Sequence, residues 1–205
     1  MSEPSAAAAA FARIAAWLAG HAPPVAAQLA PPATDAALAA ANDLLARDGY
    51  DGTLLDELVA VLRVRDGSGE AGVLPGGRDF DDCPFNLLSA AGVAAERARW
   101  AANAAACPLD ADDLAYAAEH SDSGVTPTDW DPAWLPFAEL GGNLLCLDFH
   151  PADGGTVGQV ISLNHETAGL RVLAPSLADF LQKAADAYEA GRFQLEDDEY
   201  LVAAE

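Results

Sequence analysis

"WDPAWLPFAELGGNLLCLDFHPADGGTVGQVISLNHE", residues 130–166, decides the fold. It contains the short apolar runs "WLPFA", "NLLCLDF" and "GQVISLN", and "LRVLA" follows at 170–174. Clusters of Gly, Pro and Asp separate the runs. Apolar runs between turn signals predict successive strands of an antiparallel meander. "PADGGTVG", 151–158, supplies the Gly and Pro of a hairpin connection. The same stretch holds Asp148, His150, Asp153 and His165, all of residue types that ligate metals. Asp148 and His150 are two apart and share a face on a strand; His165 ends the next strand. A hydrolytic metal requires at least three converging ligands and an open position. The spacing here matches no defined ligand motif. The reading is therefore framework: Asp148 accepts hydrogen bonds within the sheet or turn, as buried carboxylates must. No metal and no cofactor are expected.

Upstream of the meander the pattern is helical. Ser5 caps a helix over 5–19 with Phe11, Ile14 and Leu18 on one stripe. "GHAPPVAAQLAPPAT", 20–34, carries two Pro-Pro pairs and predicts an extended linker. Thr34 caps a helix over 35–47. A third helix, 54–64, buries Leu55, Leu58, Val59 and Leu62 at helical spacing and stops at Asp66-Gly67. Residues 67–82 predict a loop with a short strand near Val73-Leu74. Ser89 caps a fourth helix, and a fifth covers 110–119. "SLADFLQKAADAYEAG" is the clearest helix, with Ser176 and Asp179 in a capping-box pattern and Gly191 as its stop. The expectation is an α+β fold, a mainly antiparallel sheet flanked by helices with an N-terminal helical extension. Its parts are an N-terminal helix and Pro-rich linker (1–33), an α+β domain (34–191) and an acidic C-terminal tail (192–205). The N-terminal helix, with its alanine-rich face, is expected to dock separately or to bind a neighbour.

Charge sorts the partners. Ten Lys and Arg stand against 32 Asp and Glu, a formal net charge of −22 with a pI near 4.1. Nucleic acid is argued against, because its affinity rests on Lys and Arg neutralising phosphates; an anionic membrane is argued against likewise. From Trp100 to Leu170 there is no Lys or Arg at all. Such a one-sign field attracts a basic protein partner and speeds encounter, although a charge run also serves plain solubility. Cys83, Cys107 and Cys146 form no CxxC pair and fit reduced thiols. The start of the chain carries Glu3 instead of a basic signal-peptide region, so a cytoplasmic location is expected.

No catalytic signature emerges. Ser89 and Ser176 sit at helix starts, outside any Gly-x-Ser-x-Gly elbow. Gly141-Gly142 lacks the Lys-Ser or Lys-Thr of a phosphate loop. Cys146 lies within an apolar strand, where a buried thiol is inert.

The string of Trp130, Trp134, Pro136, Phe137, Ala138, Gly141, Gly142, Asp148, Pro151, Gly158, Gln159, Val160, Ile161, His165 and Glu166 resembles the core signature of the SUKH superfamily. That group comprises yeast cell-wall-assembly regulators and bacterial immunity proteins. Ser176, Phe180 and Leu181 match the family's following helix. Leu54, Leu58, Asp66 and Gly67 in "LLDELVAVLRVRDG" match its upstream helix, with Leu55 in place of the usual proline and Arg65 near the usual histidine. The resemblance covers about 34–190. It implies binding without catalysis, with Trp130, Trp134, Pro136, Gly141, Gly142, Asp148, Gly158, Gln159 and His165 as framework. It also implies an immunity protein that neutralises a toxin, such as a nuclease or deaminase, in a bacterial toxin system. The charge agrees, since an acidic protein can cover a nuclease's basic face. Candidate contact residues are Asp110, Asp112, Asp113, Glu196, Asp197, Asp198 and Glu199. The alternatives are a regulatory scaffold in signalling without a toxin partner and, more remotely, a metal-dependent hydrolase using His150 and His165.

Overall fold

The computed structural model describes residues 5–77, 82–165 and 169–204. Glu3, Glu166 and Glu205 lie outside the described residues. The elements in chain order are α1 (Ala6–His21), α2 (Pro23–Ala26), α3 (Asp35–Arg47), α4 (Asp56–Leu62), β1 (Gly72–Gly76), β2 (Asp82–Leu87), α5 (Ala90–Ala106), α6 (Ala111–His120), β3 (Trp134–Leu140), β4 (Asn143–Asp148), β5 (Gln159–Asn164), β6 (Gly169–Ala174), α7 (Leu177–Glu189), β7 (Phe193–Glu196) and β8 (Tyr200–Ala203).

The expected meander forms. β1 to β6 pair antiparallel in sequential order, and β7–β8 make a separate hairpin. Gly141 and Gly142 join β3 to β4 as a two-residue turn between the paired Leu140 and Asn143. Both take positive φ, 56° and 96°, which a primed hairpin turn requires and glycine adopts without a Cβ clash. Pro136 sits within β3, where proline has no N–H for the ladder. β2 pairs only with Ala138 and Glu139, and the β3–β4 register slips between Pro136 and Ala138. The proline thus falls where no β2 partner needs its nitrogen. At the far edge, Asp122 donates its N–H to Leu170 O and accepts from Val172 N, closing β6 against further pairing.

Two cores result. Leu135, Phe137, Leu145, Leu147, Val160 and Leu173 face the helices, and Phe11, Ile14, Leu58, Leu62, Val93, Phe180 and Tyr188 cover them. Trp134, Leu144, Cys146, Ile161, Leu163 and Leu170 point the other way, beneath Val125 and Trp130. Alternation along each strand produces this split. α5 serves both cores: Val93 and Ala94 join the first, and Trp100, Ala101 and Ala104 pack on the second.

Four expectations need correction. The Pro-Pro linker is folded. Pro23 opens α2 at a position whose N–H would lack a helical partner anyway, and Ala22 and Val25 are buried. Ala30 N, Ala33 N and Asp66 N then tie the 30–33 segment to the end of α4 and its following turn. α1 docks on α7 within the main core, and Arg13 bridges to Asp186 and Glu189 on its rim. The short strand expected near Val73-Leu74 forms as β1, but the strand that follows the expected loop, β2, was missed, since its Pro84 and Asn86 obscure any alternation. The acidic tail holds the β7–β8 hairpin, anchored by the buried Phe193 and Leu201.

Candidate functional site

Asp148 ends β4 and is fully buried. Its carboxylate is satisfied by three neutral donors, as buried charge demands. Trp134 Nε1 donates to Oδ1 at 3.2 Å, and His150 N to the same oxygen at 2.9 Å. Gln159 Nε2 donates to Oδ2 at 2.9 Å and also reaches Gly124 O. Gln159 Oε1 accepts from Thr156 N, and Gly158 N donates to Asp148 O at 2.7 Å. One carboxylate thus locks β3, β5, the 150–158 connection and the 121–133 segment together. Trp130 stands edge-on to Trp134, with centroids 6.0 Å apart, and stacks with Trp100 at 6.1 Å.

Asp131 extends the lock. Its Oδ1 accepts from Ala133 N, and its Oδ2 lies 3.0 Å from His150 Nδ1. That hydrogen bond, reinforced by the carboxylate's charge, raises the pKa of the exposed His150.

The expected framework residues therefore divide. Trp130, Trp134, Asp148, Gly158 and Gln159 converge. Gly141, Gly142 and His165 sit at the opposite end of β4, where His165 N and Nδ1 both meet Asn143 Oδ1 and the ring lies against Gly142. Asp148 and His165 are separated by the length of a six-residue strand, roughly 17 Å at 3.4 Å per residue. His150 turns to Asp131, and Asp153 is exposed in the connecting loop. No group of three or more His, Cys, Asp and Glu side chains that could hold a metal is present among the described residues. Cys146 is buried, and desolvation pushes its thiol pKa well up.

The acidic candidates lie at opposite edges of the sheet. Asp110 caps α6, and Asp113 completes the capping box by accepting from Asp110 N; α6 contacts β6. Glu196–Glu199 form the turn of the β7–β8 hairpin, which packs beside β1 and β2. Asp197 and Asp198 both take positive φ there, 52° and 59°.

Sequence reasoning missed a third place. Residues 49–56, of which only the helix start at 54 was expected, form one wall of an open cleft of about 650 Å³. Pro132, Ala133 and Phe149, flanking the Asp131–Asp148 lock, form the other wall. Tyr50 and Phe149 are half-buried, while Asp51 and Asp56 are exposed. Behind the cleft, the buried Arg97 of α5 fastens both walls. Its Nη2 donates to Pro132 O at 2.7 Å, its Nη1 approaches Asp48 O at 3.5 Å, and its guanidinium lies 4.5 Å from the centre of the Tyr50 ring. Burial lowers its pKa, while Tyr50 and Asp48 act in the opposite sense. Its Nε has no hydrogen-bond partner among the described residues. The only sequence signal was an arginine on the apolar side of a helix, between Val93 and Trp100.

A six-stranded antiparallel meander with helices packed on one face, and a tryptophan–aspartate–glutamine lock on the other, defines an α+β domain of the kind the motif string implied. The model of the SMI1 / KNR4 family (SUKH-1) matches residues 32–183, and the chain belongs to that family. It is also similar to a KNR4/SMI1 homolog of Yarrowia lipolytica, 35% identical over 68 residues. That match takes in 33% of this chain and spans about a tenth of the relative's length, 10%.

Proposed function

We propose that this chain is a non-catalytic binding domain that neutralises a toxin, a nuclease or deaminase, by covering the basic surface the toxin offers to its substrate. Membership of the SUKH family supports the binding reading. The observation that carries the choice of partner is where the cation-free stretch lies. Trp100 to Leu170 supplies α6, the 121–133 segment and strands β3 to β5, so these elements contribute no Lys or Arg to the second face of the sheet or its cover; Arg171 of β6 pairs with Asp122 at the edge, and Arg97 of α5 lies buried against Pro132 O. Asp112, Asp129, Asp131 and Asp153 are distributed over this region. Such a field favours fast, salt-sensitive association with a basic partner.

The test has two stages. The tagged chain is used to capture partners from its host, with elution by rising salt and identification by mass spectrometry. Any basic protein recovered is then expressed in a naive host with and without this chain. Toxicity relieved by co-expression supports the reading. Neutral or acidic partners, or a basic partner whose expression is harmless, would move the weight to a regulatory scaffold. No helix among the described residues is long and apolar enough to cross a membrane.

A further inference from the structure

We infer that the cleft between residues 49–56 and Pro132, Ala133 and Phe149 is the anchor point for a basic segment of the partner protein. This rests on the binding reading above and places its contact on the chain, away from both acidic runs that stand out in the sequence.

The cleft's volume of about 650 Å³ lies in the range of side-chain and ligand pockets. It is too small for a whole protein interface and suits a few anchoring side chains. Its chemistry selects them. Tyr50, Leu55, Pro132 and Phe149 give an apolar floor, and Asp51 and Asp56 carry the lining's charge, with no Lys or Arg among the lining residues. Neither aspartate has an ion pair among the described residues. Arg97 is held behind the floor by two carbonyls and a ring; Arg47 is exposed one turn back on α3, outside the lining. An arginine or lysine fits both features: its stem lies on Tyr50 and Phe149, and its head reaches the carboxylates. The site is also prebuilt, because Arg97 ties the two walls and the Asp148 lock holds the second. A partner therefore spends little free energy on ordering it.

The α6 cap lacks this combination, because Asp110 and Asp113 are occupied by capping. The hairpin turn is the rival site: Asp198 and Glu199 share a groove of about 420 Å³ with Pro24, Val25, Glu70 and Tyr200, and the titration must separate it from the cleft, whose two walls Arg97 ties.

The test is an NMR titration of the full ¹⁵N-labelled chain with a capped Arg-Leu-Lys-Leu-Arg peptide, beside a Glu-Leu-Glu-Leu-Glu control. Two variants of equal charge change accompany it: Asp51→Asn/Asp56→Asn and Asp197→Asn/Asp198→Asn. Asparagine tolerates the left-handed backbone at the second pair. The expected result is amide shifts concentrated at 49–56, 133 and 149. The cleft variant should bind about tenfold more weakly, and the hairpin variant should stay within about twofold of the parent. Shifts centred on the hairpin or α6, with the hairpin variant losing affinity, would overturn the cleft while leaving the basic-partner reading intact. A basic peptide that binds no better than the acidic control would overturn both.

Discussion

Helices α1, α4, α5 and α7 close one face of the sheet with aromatic and aliphatic side chains, while the 121–133 segment lays Val125 and Trp130 over the other, where Trp134 and the buried carboxylate of Asp148 project from the strands. The first face is covered many times over: Phe137 meets Phe180 at 5.9 Å, and Phe11, Ile14, Leu58 and Leu181 lie in the same core. Its cohesion is non-directional and shared among many contacts. The second face has a smaller apolar core, and apart from Trp100, Ala101 and Ala104 of α5 its cover is irregular chain that cannot satisfy its own polar groups. Hydrogen bonds through Asp148 and Gln159 hold that cover in place. A helix-packed face therefore tolerates changes of shape, whereas a loop-packed face depends on individual polar atoms.

The severest way to break the second face is Trp134→Ala. It opens a cavity and removes a donor from Asp148, so a loss of about 3–5 kcal/mol in urea unfolding is expected. A loss under about 1 kcal/mol would mean the carboxylate holds nothing together. Asp148→Asn sharpens the contrast. It changes almost no volume, yet it puts an amide N–H₂ where the carboxylate accepts from three donors. We expect it to cost about 2–3 kcal/mol, more than the volume-changing Phe137→Leu on the helix face, at about 1–1.5 kcal/mol. The reverse order would erase the difference between the faces. Arg97→Met strips Pro132 O of its donor and loosens the cleft walls, for an expected loss of about 1–2 kcal/mol. Amide exchange should rise at 49–56 and 132–133 and stay unchanged on the helix face.

The gentlest probe is pH. His150 has a raised pKa, chiefly from its hydrogen bond to Asp131 and then from that residue's charge. The folded state thus holds the imidazole proton more tightly than the unfolded chain. Its contribution to stability is complete below the ordinary histidine value, about 6.5, and is lost as pH rises through the folded pKa above it. An NMR titration of the ring should show the elevated pKa, and Asp131→Asn should return it toward the ordinary value.

Much of this was legible. The caps at Ser5, Thr34, Ser89 and Ser176 all form as expected, each accepting from a backbone N–H three residues on, because capping is chemistry within one turn. Strands β1 and β3 to β6 of the meander were legible because apolar runs and turn residues are local too; β2 was not. The Gly-Gly pair proved to be a hairpin turn for the same reason. α2 and the C-terminal hairpin were not. Proline normally marks a break, and the acidic Asp197-Asp198 turn lacks the Asn-Gly signal. Burial of Val25 against the core, and of Phe193 against Tyr188 at 4.7 Å, overrode the local preference.

The sequence by itself determined the succession of strands β3 to β6, the four capped helix starts, the charge and the family motif, since each depends on neighbours along the chain. Only the tertiary structure decided which motif residues share a site. Asp148 and His165 belong to one quoted stretch and end up at opposite ends of a strand. Asp51, Arg97 and Phe149 are far apart in the chain and meet around one cleft. Proximity of that kind is set by which faces the core buries, and it leaves no local trace for a sequence reading to find.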